Sequence, residues 1–422
     1  MKAQAGVGPR VLYFVYWGAG EALGQALVLP SVRRLAQLGA KVTLVTFDKA
    51  EDLNQREYMV AIRRELEGLG IRWVSLRYHK GTHAPAKLYD AVTGWARSVV
   101  AQRGGRTDIV HARTFVGGLM GFVLSRLLRA KFVYHNEGFY PDEQVDGGVW
   151  APGSVRHRLA RQLEAQLYAR ADGIIALSHR AQGTIKDLAP VRRKGAPVIV
   201  VPSTVDLERF RCAKDTWGIY PDGVRLVYSG AVGLRYRLDR AAQFAAVALQ
   251  KFGHVSLRVL SRADRSVVEG ILEASSLPRD CWSVDSVPHE AMPRELSRHD
   301  AGLFFLTEGL SEQGCSPTKI GEYWACGLPV VTTPNVSDTD EIVRRERVGV
   351  IVRDHSEAGY REAVRSLAKL LEDPELSARC RLAAETHYAL DPACERQMDL
   401  YGAVLAPSPW SGQAGAADGR PR

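Results

Sequence analysis

The chain has 422 residues, 46% of them hydrophobic, and is therefore long enough to bury two ordinary hydrophobic cores. No apolar segment reaches the roughly twenty residues that span a bilayer, and the N-terminus lacks the apolar core of a signal peptide. The six cysteines contain no Cys-x-x-Cys pair, which argues against a disulfide framework or a zinc site. We therefore expect a cytoplasmic protein with free thiols.

The net charge of +9 is concentrated in the first half of the chain. Residues 1–210 contain 30 Lys+Arg and 18 Asp+Glu, whereas residues 211–422 contain 26 and 29. A basic half suits an anionic partner such as a membrane surface or a lipid-phosphate acceptor, although a codon bias towards Arg would produce the same excess. No nucleic-acid partner is expected, because no zinc finger, RNP-type aromatic motif or basic zipper is present. The charge therefore allows two interpretations, a peripheral contact with the inner face of the membrane and a codon bias without a partner.

Short β-branched runs alternate with amphipathic stretches along the chain, a pattern typical of parallel α/β domains. In the first half, strands are predicted at residues 11–16, 41–47, 71–76, 108–112, 131–135, 173–177 and 198–202. Helices are predicted between them, for example at residues 26–38 and 58–69. In the second half, strands are predicted at residues 225–229, 256–260, 282–285, 301–306, 330–332 and 349–352. Helices follow at residues 357–371, 374–387 and 394–405.

This alternation predicts an α/β protein of two doubly wound Rossmann-like domains that face each other across a cleft. The first domain would cover residues 1–205 and the second, which would bind a nucleotide, residues 206–390. A helix over residues 391–406 is expected to pack back on the first domain. The tail at residues 407–422 is expected to be disordered, and the passage at residues 203–222 to act as a hinge.

The most informative segment is SPTKIGEYWACGLPVV, at residues 316–331. It predicts a short helix with Ser316 as its N-cap and Pro317 at its first position, then a Gly-Pro turn and a buried strand. The free amides of the first turn, with Thr318 and Lys319, would form an anion site. Glu322 would lie one turn later, within reach of a sugar hydroxyl. The pattern suits a nucleoside diphosphate, but a capped helix before a core strand would have the same sequence.

The segment resembles the donor-binding signature of family 4 of the retaining GT-B glycosyltransferases, and the similarity extends roughly over residues 11–405. The resemblance implies that the helix start holds the diphosphate of a nucleotide sugar and that Glu322 holds the ribose hydroxyls. Many members have another Glu eight residues earlier that contacts the donor sugar. Here that position is Gly314, while Glu308 and Glu312 lie nearby out of register. Recognition of the donor sugar is therefore the part of the resemblance that this chain fits least.

A Gly-rich loop follows the first predicted strand and contains Gly18 and Gly20. With Asp48 after the second strand it is similar to a dinucleotide fingerprint, but Leu23 occupies the place of the third Gly. The family resemblance instead implies a loop that faces the donor phosphates and the acceptor. An NAD-linked oxidoreductase is the alternative hypothesis for this loop.

Two further groups of candidates lie in the first half. His111 and Arg113 end a predicted strand near the position where the family often has a His that contacts the donor sugar or the acceptor. They point to one face of the strand, although His111 is as readily explained as a buried structural residue. The loop at residues 135–148 resembles one found in transferases of bacterial polysaccharide pathways. Its carboxylates, Glu137, Asp142 and Glu143, could order acceptor hydroxyls or merely decorate a solvated loop.

In the second half, Gly230 allows close approach of the backbone to a ligand, and either Arg235 or Arg237 could neutralise a diphosphate. His289 follows a strand at the place where the family binds the base, and could equally neighbour a helix N-cap. The Asp-x-Asp at Asp338 resembles a metal-binding motif, but it precedes a helix, and we predict a cap.

Together these features predict a glycosyltransferase that moves a hexose from a UDP or GDP sugar to a glycan or lipid-linked acceptor, with retention of configuration and with no metal or other cofactor. Lys319, Arg235, Arg113 and His111 are the catalytic candidates, since preorganised charge would stabilise the departing diphosphate. Two alternatives are a non-catalytic scaffold, suggested by Gly314, and the oxidoreductase. A sugar-nucleotide epimerase is a lesser one.

Overall fold

The structure, a computed structural model, describes residues 8–21, 23–79, 84–102, 105–211 and 223–407. Its first sheet has the strand order β3-β2-β1-β4-β5-β6-β7, and all its pairings are parallel. The strands are β1 (Arg10–Val15), β2 (Lys41–Asp48), β3 (Arg72–Arg77), β4 (Ile109–Arg113), β5 (Lys131–His135), β6 (Gly173–Ala176) and β7 (Val198–Val200).

The second sheet is also entirely parallel and has the order β10-β9-β8-β11-β12-β13. Its strands are β8 (Val224–Ser229), β9 (Val255–Leu260), β10 (Trp282–Asp285), β11 (Ala301–Phe304), β12 (Val330–Thr332) and β13 (Gly349–Ile351). In each sheet the order reverses beside the first strand, which is the switch point where doubly wound folds bind ligands. The predicted fold class is confirmed, and every predicted strand is present.

Helices cover both faces of each sheet. In the first half they are α1 (Leu29–Gln37), α2 (Ala50–Asn54), α3 (Arg56–Gly68), α4 (Ala84–Ala101), α5 (Phe115–Leu127), α6 (Tyr140–Asp146), α7 (Val155–Arg170), α8 (His179–Asp187) and α9 (Ala189–Lys194). In the second half they are α10 (Leu238–Phe252), α11 (Arg265–Glu273), α12 (Met292–Leu296), α13 (Ser311–Gly314), α14 (Thr318–Ala325), α15 (Thr339–Glu346), α16 (Glu357–Leu371), α17 (Leu376–His387) and α18 (Leu390–Leu405). The helix predicted at residues 26–38 starts differently, because a π-helical turn, Gly24–Val28, precedes α1.

Each sheet is buried between its helices. The first sheet has a separate apolar core on each face, and the second domain has one continuous core. The C-terminal helix α18 packs on α1 and β6, with Cys394 and Tyr401 buried in a core of the first domain. The five described cysteines are all buried. Residues 212–222 of the predicted hinge and residues 408–422 of the predicted tail lie outside the described residues.

The predicted N-cap of α14 is wrong. The helix begins at Thr318, so that Pro317 occupies the N-cap position, and it has no side-chain cap. The hydroxyl of Ser316 instead accepts a hydrogen bond from the backbone N–H of Ser203, at 3.1 Å. A long-range contact between the segment after β7 and the start of α14 has therefore replaced the local cap that sequence spacing suggested.

Asp338 also differs from its prediction, because it caps a helix of the other domain. It precedes α15 without a side-chain bond to that helix. Its carboxylate accepts the backbone N–H groups of His179 and Arg180, at 2.7 and 3.2 Å, in the first turn of α8. Negative charge at a helix start is favourable, so Asp338 stabilises α8. Because the residue and the helix belong to different domains, the contact also joins them. Among the described residues, no group of three or more His, Cys, Asp or Glu could hold a metal ion.

Candidate functional site

A cavity of about 490 Å³ lies between the two domains. Its walls come from the ends of β1, β5, β8 and β11, the start of α5, and the start of α14. The charged residues that line it are divided by sign between the domains. Glu137 and Glu143 come from the first domain, whereas Arg235 and Lys319 come from the second. An anionic group is therefore favoured on one side and hydroxyl groups on the other.

A second cavity, of about 370 Å³, adjoins the first within the second domain. The loops after β8, β9 and β10 line it together with His289, and it shares Gly230, Ala231 and Lys319 with the first cavity. Gly230 has φ +137°, which other residues rarely adopt, and an added Cβ would reach the Lys319 side chain at 4.0 Å. The two cavities form one elongated site around Lys319, with room for a ligand of two linked parts.

The Lys319 ammonium is held by a buried carboxylate. Its Nζ donates to Glu322 Oε2 at 2.9 Å, and His289 Nε2 lies 3.6 Å from Glu322 Oε1. Burial disfavours the ionised form of Glu322, but the charge and hydrogen bonds of Lys319 and His289 outweigh it and lower the pKa of this carboxyl. The sequence analysis assigned all three residues to the donor. In the structure Lys319 and His289 line the smaller cavity, whereas Glu322 contacts both of them and is not among the residues that line either cavity.

Of the two candidate arginines after β8, only one lines the cavity. Arg235 Nη1 lies 3.4 Å from Glu143 Oε1, across the interface between the domains. Burial is the largest influence on Glu143 and raises the pKa of its carboxyl despite this neighbour. Arg237 instead pairs with Asp239 at 2.5 Å and does not reach the cavity walls.

His111 is fully buried and does not line the cavity. Its Nδ1 lies 2.6 Å from the hydroxyl of Tyr401 on α18, and its Nε2 lies 3.1 Å from Nδ1 of His135. Burial and the nearby Arg113 lower the pKa of both imidazoles well below the ordinary value, so both are neutral near pH 7. His111 therefore lies behind the cavity wall, and its predicted contact with a ligand stays a prediction.

Arg113 acts behind the cavity wall. It is buried, and its Nε donates to Glu137 Oε1 at 2.5 Å while its Nη1 donates to the hydroxyl of Tyr13 and the carbonyl of Leu27, both at 3.2 Å. Glu137 itself lines the cavity. Arg113 therefore fixes the orientation of Glu137. Asp142 lies outside the cavity walls, where it pairs with Arg161 at 2.6 Å.

The Gly-rich loop does not form a dinucleotide site. Gly18 and Gly20 flank Ala19, whose N–H donates to Asp48 Oδ1 at 2.6 Å. Asp48 is fully buried, and Ser75 also donates to it, so it cannot reach a ribose. Neither glycine lines the cavity, although the preceding Trp17 does. This geometry contradicts the oxidoreductase hypothesis at the residue on which it depended.

Gly314 is in tight contact with the other domain. A Cβ added there would lie 2.9 Å from the Phe139 ring and 3.1 Å from its backbone nitrogen. Glu312, two residues earlier, is buried in α13 and does not line the cavity. The loop at Gly138 and Phe139 therefore fills the space that a side chain at position 314 would need.

Aromatic residues of the cavity wall were not predicted. Phe115 at the start of α5 stacks on Tyr140 with ring centroids 5.0 Å apart, and both line the cavity with Tyr16 and Tyr236. Tyr16, Phe115 and Tyr140 closely follow β1, β4 and β5. These positions could have identified them, because ligand sites in such sheets lie outside the carboxyl ends of the strands. Such rings provide apolar faces for a sugar ring or a chain.

Comparison with known proteins gives matches over both halves. The family model described as "Glycosyl transferase 4-like domain" matches residues 25–204, and that described as "Glycosyl transferases group 1" matches residues 226–370. A D-inositol 3-phosphate glycosyltransferase of Streptomyces bingchenggensis (strain BCW-1) is 22% identical over 428 residues, covering 92% of this chain and 86% of that protein.

Two solved structures share the two-domain architecture. Sucrose-phosphate synthase from Thermosynechococcus elongatus has a TM-score of 0.65 and 16% identity, over 95% of this chain and 100% of that one. HepE of Anabaena in complex with UDP has a TM-score of 0.62 and 13% identity, over 93% of this chain and 100% of that one. At these identities the superpositions establish the fold.

Proposed function

The chain belongs to the GT-B glycosyltransferases of family 4 type, and we propose that it moves a sugar from a nucleoside diphosphate donor to a hydroxyl of a glycan or lipid-linked acceptor. The observation that carries this proposal is the elongated site around Lys319, with cations on one wall and carboxylates on the other. A donor of this class has the same two parts, an anionic diphosphate and a polyhydroxyl ring.

The proposed donor lies with its nucleoside in the smaller cavity and its diphosphate at the start of α14. The amides of that first turn, Thr318, Lys319 and Arg235 would meet the phosphate charge, while His289 and Glu322 would contact the nucleoside. The complex of HepE with UDP supports a uridine nucleotide in the donor.

In the proposed reaction, the bond between the anomeric carbon and the diphosphate oxygen breaks, and its electron pair leaves with the nucleoside diphosphate. The acceptor oxygen forms the new bond on the same face of the sugar, so that configuration is retained. The acceptor proton passes to the departing diphosphate oxygen. Lys319 and Arg235 stabilise the charge that develops there, and no metal ion is needed for this step. Removal of one such preorganised donor costs about 10²–10³ in rate.

The acceptor would enter from the first domain. Glu137 and Glu143 would accept hydrogen bonds from sugar hydroxyls, and the stacked rings of Phe115 and Tyr140 would form an apolar wall beside them. Arg113 is the positioning residue for Glu137, because its bonds to Tyr13 and Leu27 fix the guanidinium that holds the carboxylate. The network of His111, His135 and Tyr401 supports the same wall from behind.

A turnover assay tests the proposal and separates it from a non-catalytic scaffold. UDP-glucose, UDP-galactose, UDP-N-acetylglucosamine and GDP-mannose are each incubated with the protein and a bacterial lipid extract, and release of nucleoside diphosphate is measured. We expect one donor to give acceptor-dependent release that falls at least about 100-fold in Lys319→Ala. Lys369→Ala, an exposed residue of α16, is the control and should keep full activity.

The product provides the second readout, since its anomeric configuration by NMR distinguishes retention from inversion. Nucleotide binding without release of product from any donor and extract would favour the scaffold. If Lys319→Ala and Lys369→Ala lost transferase activity to the same extent, the assignment of the anion site would be contradicted.

A further inference from the structure

Three helices of the first domain lie side by side on one face of its sheet. α4 packs on β3 and α5, α5 packs on β4 and β5, and α7 packs on α5 and β5. Their inward residues form one apolar core with that face of the sheet. Their outward residues therefore form one continuous surface, which we call the α4–α5–α7 face.

Exposed large hydrophobic residues are concentrated on the α4–α5–α7 face. In the described part of the chain, 20 large hydrophobic residues are exposed, and 10 of them belong to these three helices. They are Leu88, Tyr89, Val92, Val99 and Val100 on α4, Val123 and Leu127 on α5, and Val155, Leu159 and Leu163 on α7. Such clustering, unlike scattered exposed residues, marks an interaction site.

The charged side chains that these three helices expose are all basic, and one of them, Arg161, pairs with Asp142 of the neighbouring helix α6 at 2.6 Å. The three helices contain seven Lys or Arg residues, namely Lys87, Arg97, Arg126, Arg156, Arg158, Arg161 and Arg170, and all seven are exposed. They contain only two acidic residues, Asp90 and Glu164, which are 0% and 4% exposed. The helices thus present cations and aliphatic groups, and no carboxylate of their own, to a partner.

We propose that the α4–α5–α7 face binds the surface of an anionic lipid bilayer. Arginine and lysine head groups would contact lipid phosphates, while the valine and leucine side chains between them would enter the boundary between head groups and acyl chains. A nucleic acid would meet the same cations but has no partner for ten aliphatic and aromatic groups. No described helix is long and apolar enough to cross the bilayer, so the contact is peripheral.

One helix connects this face with the cavity between the domains. Phe115 and Val116 at the start of α5 line that cavity, and Val123 and Leu127 further along lie on the α4–α5–α7 face. The distance along the helix from Val116 to Leu127 is about 17 Å. This step rests on the proposed function: an acceptor anchored by a lipid could present its hydroxyl to the cavity while its chain stays in the bilayer.

Sedimentation with sucrose-loaded vesicles tests the proposal on the whole chain. One set of vesicles is pure phosphatidylcholine, and the other is an equimolar mixture with phosphatidylglycerol. We expect sedimentation only with the anionic set, decreasing as salt is added. Each cation near such a surface raises the partition coefficient about fivefold. The double variant Arg156→Gln and Arg158→Gln should therefore lower the partition coefficient about 25-fold.

A second double variant, Leu127→Gln and Leu159→Gln, removes two exposed apolar side chains of α5 and α7 and leaves the net charge unchanged. It should weaken partitioning roughly tenfold or more. The matched control pair, Leu382→Gln and Arg365→Gln, changes exposed residues of the second domain and should bind as the wild type does. Thermal midpoints identify any variant that has failed to fold.

The proposal is overturned if the wild-type protein stays in the supernatant with anionic vesicles at low salt. It is also overturned if the control pair loses as much binding as the two pairs on the face. Displacement from the vesicles by a DNA duplex at equal phosphate concentration would assign the face to nucleic acid instead. Sedimentation needs no turnover, so its failure would leave the proposed function standing.

Discussion

Substitution of Glu322 by Gln separates the role of this residue in nucleotide binding from its role in stability. The change keeps the shape of the side chain and removes its charge. Glu322 is 4% exposed, and both its partners, Lys319 at 2.9 Å and His289 at 3.6 Å, line the smaller cavity. The substitution therefore leaves two groups of the proposed nucleotide site without their common carboxylate.

The expected magnitudes follow from this burial. Breaking a buried ion pair from one side costs about 3–5 kcal/mol. Lys319 keeps some contact with water, its side chain being 25% exposed, so the lower end applies. A loss of about 3 kcal/mol lowers Tm by roughly 10 °C in a domain of this size. A hydrogen bond from the ribose to a charged group is worth about 1.5–3 kcal/mol, so UDP or GDP should bind about 10- to 150-fold more weakly.

The direction in which stability changes with pH provides a further test of the role of Glu322. The pKa of Glu322 is lowered in the folded protein, because its partners overcome the effect of burial. Its contribution to stability is therefore complete above its ordinary pKa of 4.5 and declines as the pH falls through the lower, folded-state value. The difference in unfolding free energy between wild type and Glu322→Gln should decline in the same direction.

Isothermal titration with UDP and GDP, together with thermal unfolding at two pH values, measures both effects. The control is Glu346→Gln, because Glu346 is a partly buried carboxylate of the second domain and pairs with His387 at 2.7 Å. It should lose stability and keep nucleotide affinity. The reasoning is refuted if Glu322→Gln binds the nucleotide as tightly as the wild type, or if Glu346→Gln weakens binding equally.

Three further predictions concern positions away from Glu322. Burial raises the pKa of Glu164 to about 8, so ionisation of this group destabilises the fold as the pH rises. Between pH 5 and pH 8 the free energy of unfolding of Glu164→Gln, measured with urea, should therefore rise by about 3 kcal/mol relative to that of the wild type. A difference that stays constant over this range would contradict the prediction. Gly314→Glu should separate the domains, because its side chain would overlap Phe139; small-angle scattering should show a larger radius of gyration, which Gly314→Ala should increase less. Asp338→Ala should increase proteolysis and hydrogen exchange at the start of α8, because the N–H of His179 loses its hydrogen-bond acceptor at a cost of about 1 kcal/mol in local stability. Unchanged hydrogen exchange there would contradict the role of this contact.

The strands could be predicted from sequence because their signal is local. Runs of β-branched residues bounded by Gly and polar residues determine each strand, and the parallel order follows from the intervening helices. The ends of α14 and the capping role of Asp338 could not be predicted in this way. Ser316 and Asp338 have good local capping partners in sequence, but each bonds a backbone N–H of the other half of the chain. Such contacts exist only once both domains are folded.

The site residues also fall into those whose position follows from local sequence spacing and those whose position depends on distant parts of the chain. Lys319 and Glu322 are three residues apart on one helix, and helical spacing alone brings them together. His111 and Arg113 share a face of β4, as predicted, but alternation along a strand does not say how far a side chain is from the cleft. In the structure Tyr401, from the far end of the chain, occupies the space beside His111, and Glu137 covers Arg113. The side chain that reaches the cavity is therefore Glu137, in the loop that follows the next strand, β5.

The missing carboxylate at Gly314 has a physical counterpart on the other side of the cleft. The space beside Gly314 is filled by Phe139, and the same loop leads into α6, which places Glu143 within 3.4 Å of Arg235. A carboxylate is thus present beside the cationic wall, but the first domain supplies it. Because Glu143 meets Arg235 only when the domains are in contact, recognition of a sugar hydroxyl by this carboxylate would require closure of the cleft. Closure would then both exclude water and complete the site, whereas a Glu at position 314 would belong to the second domain alone.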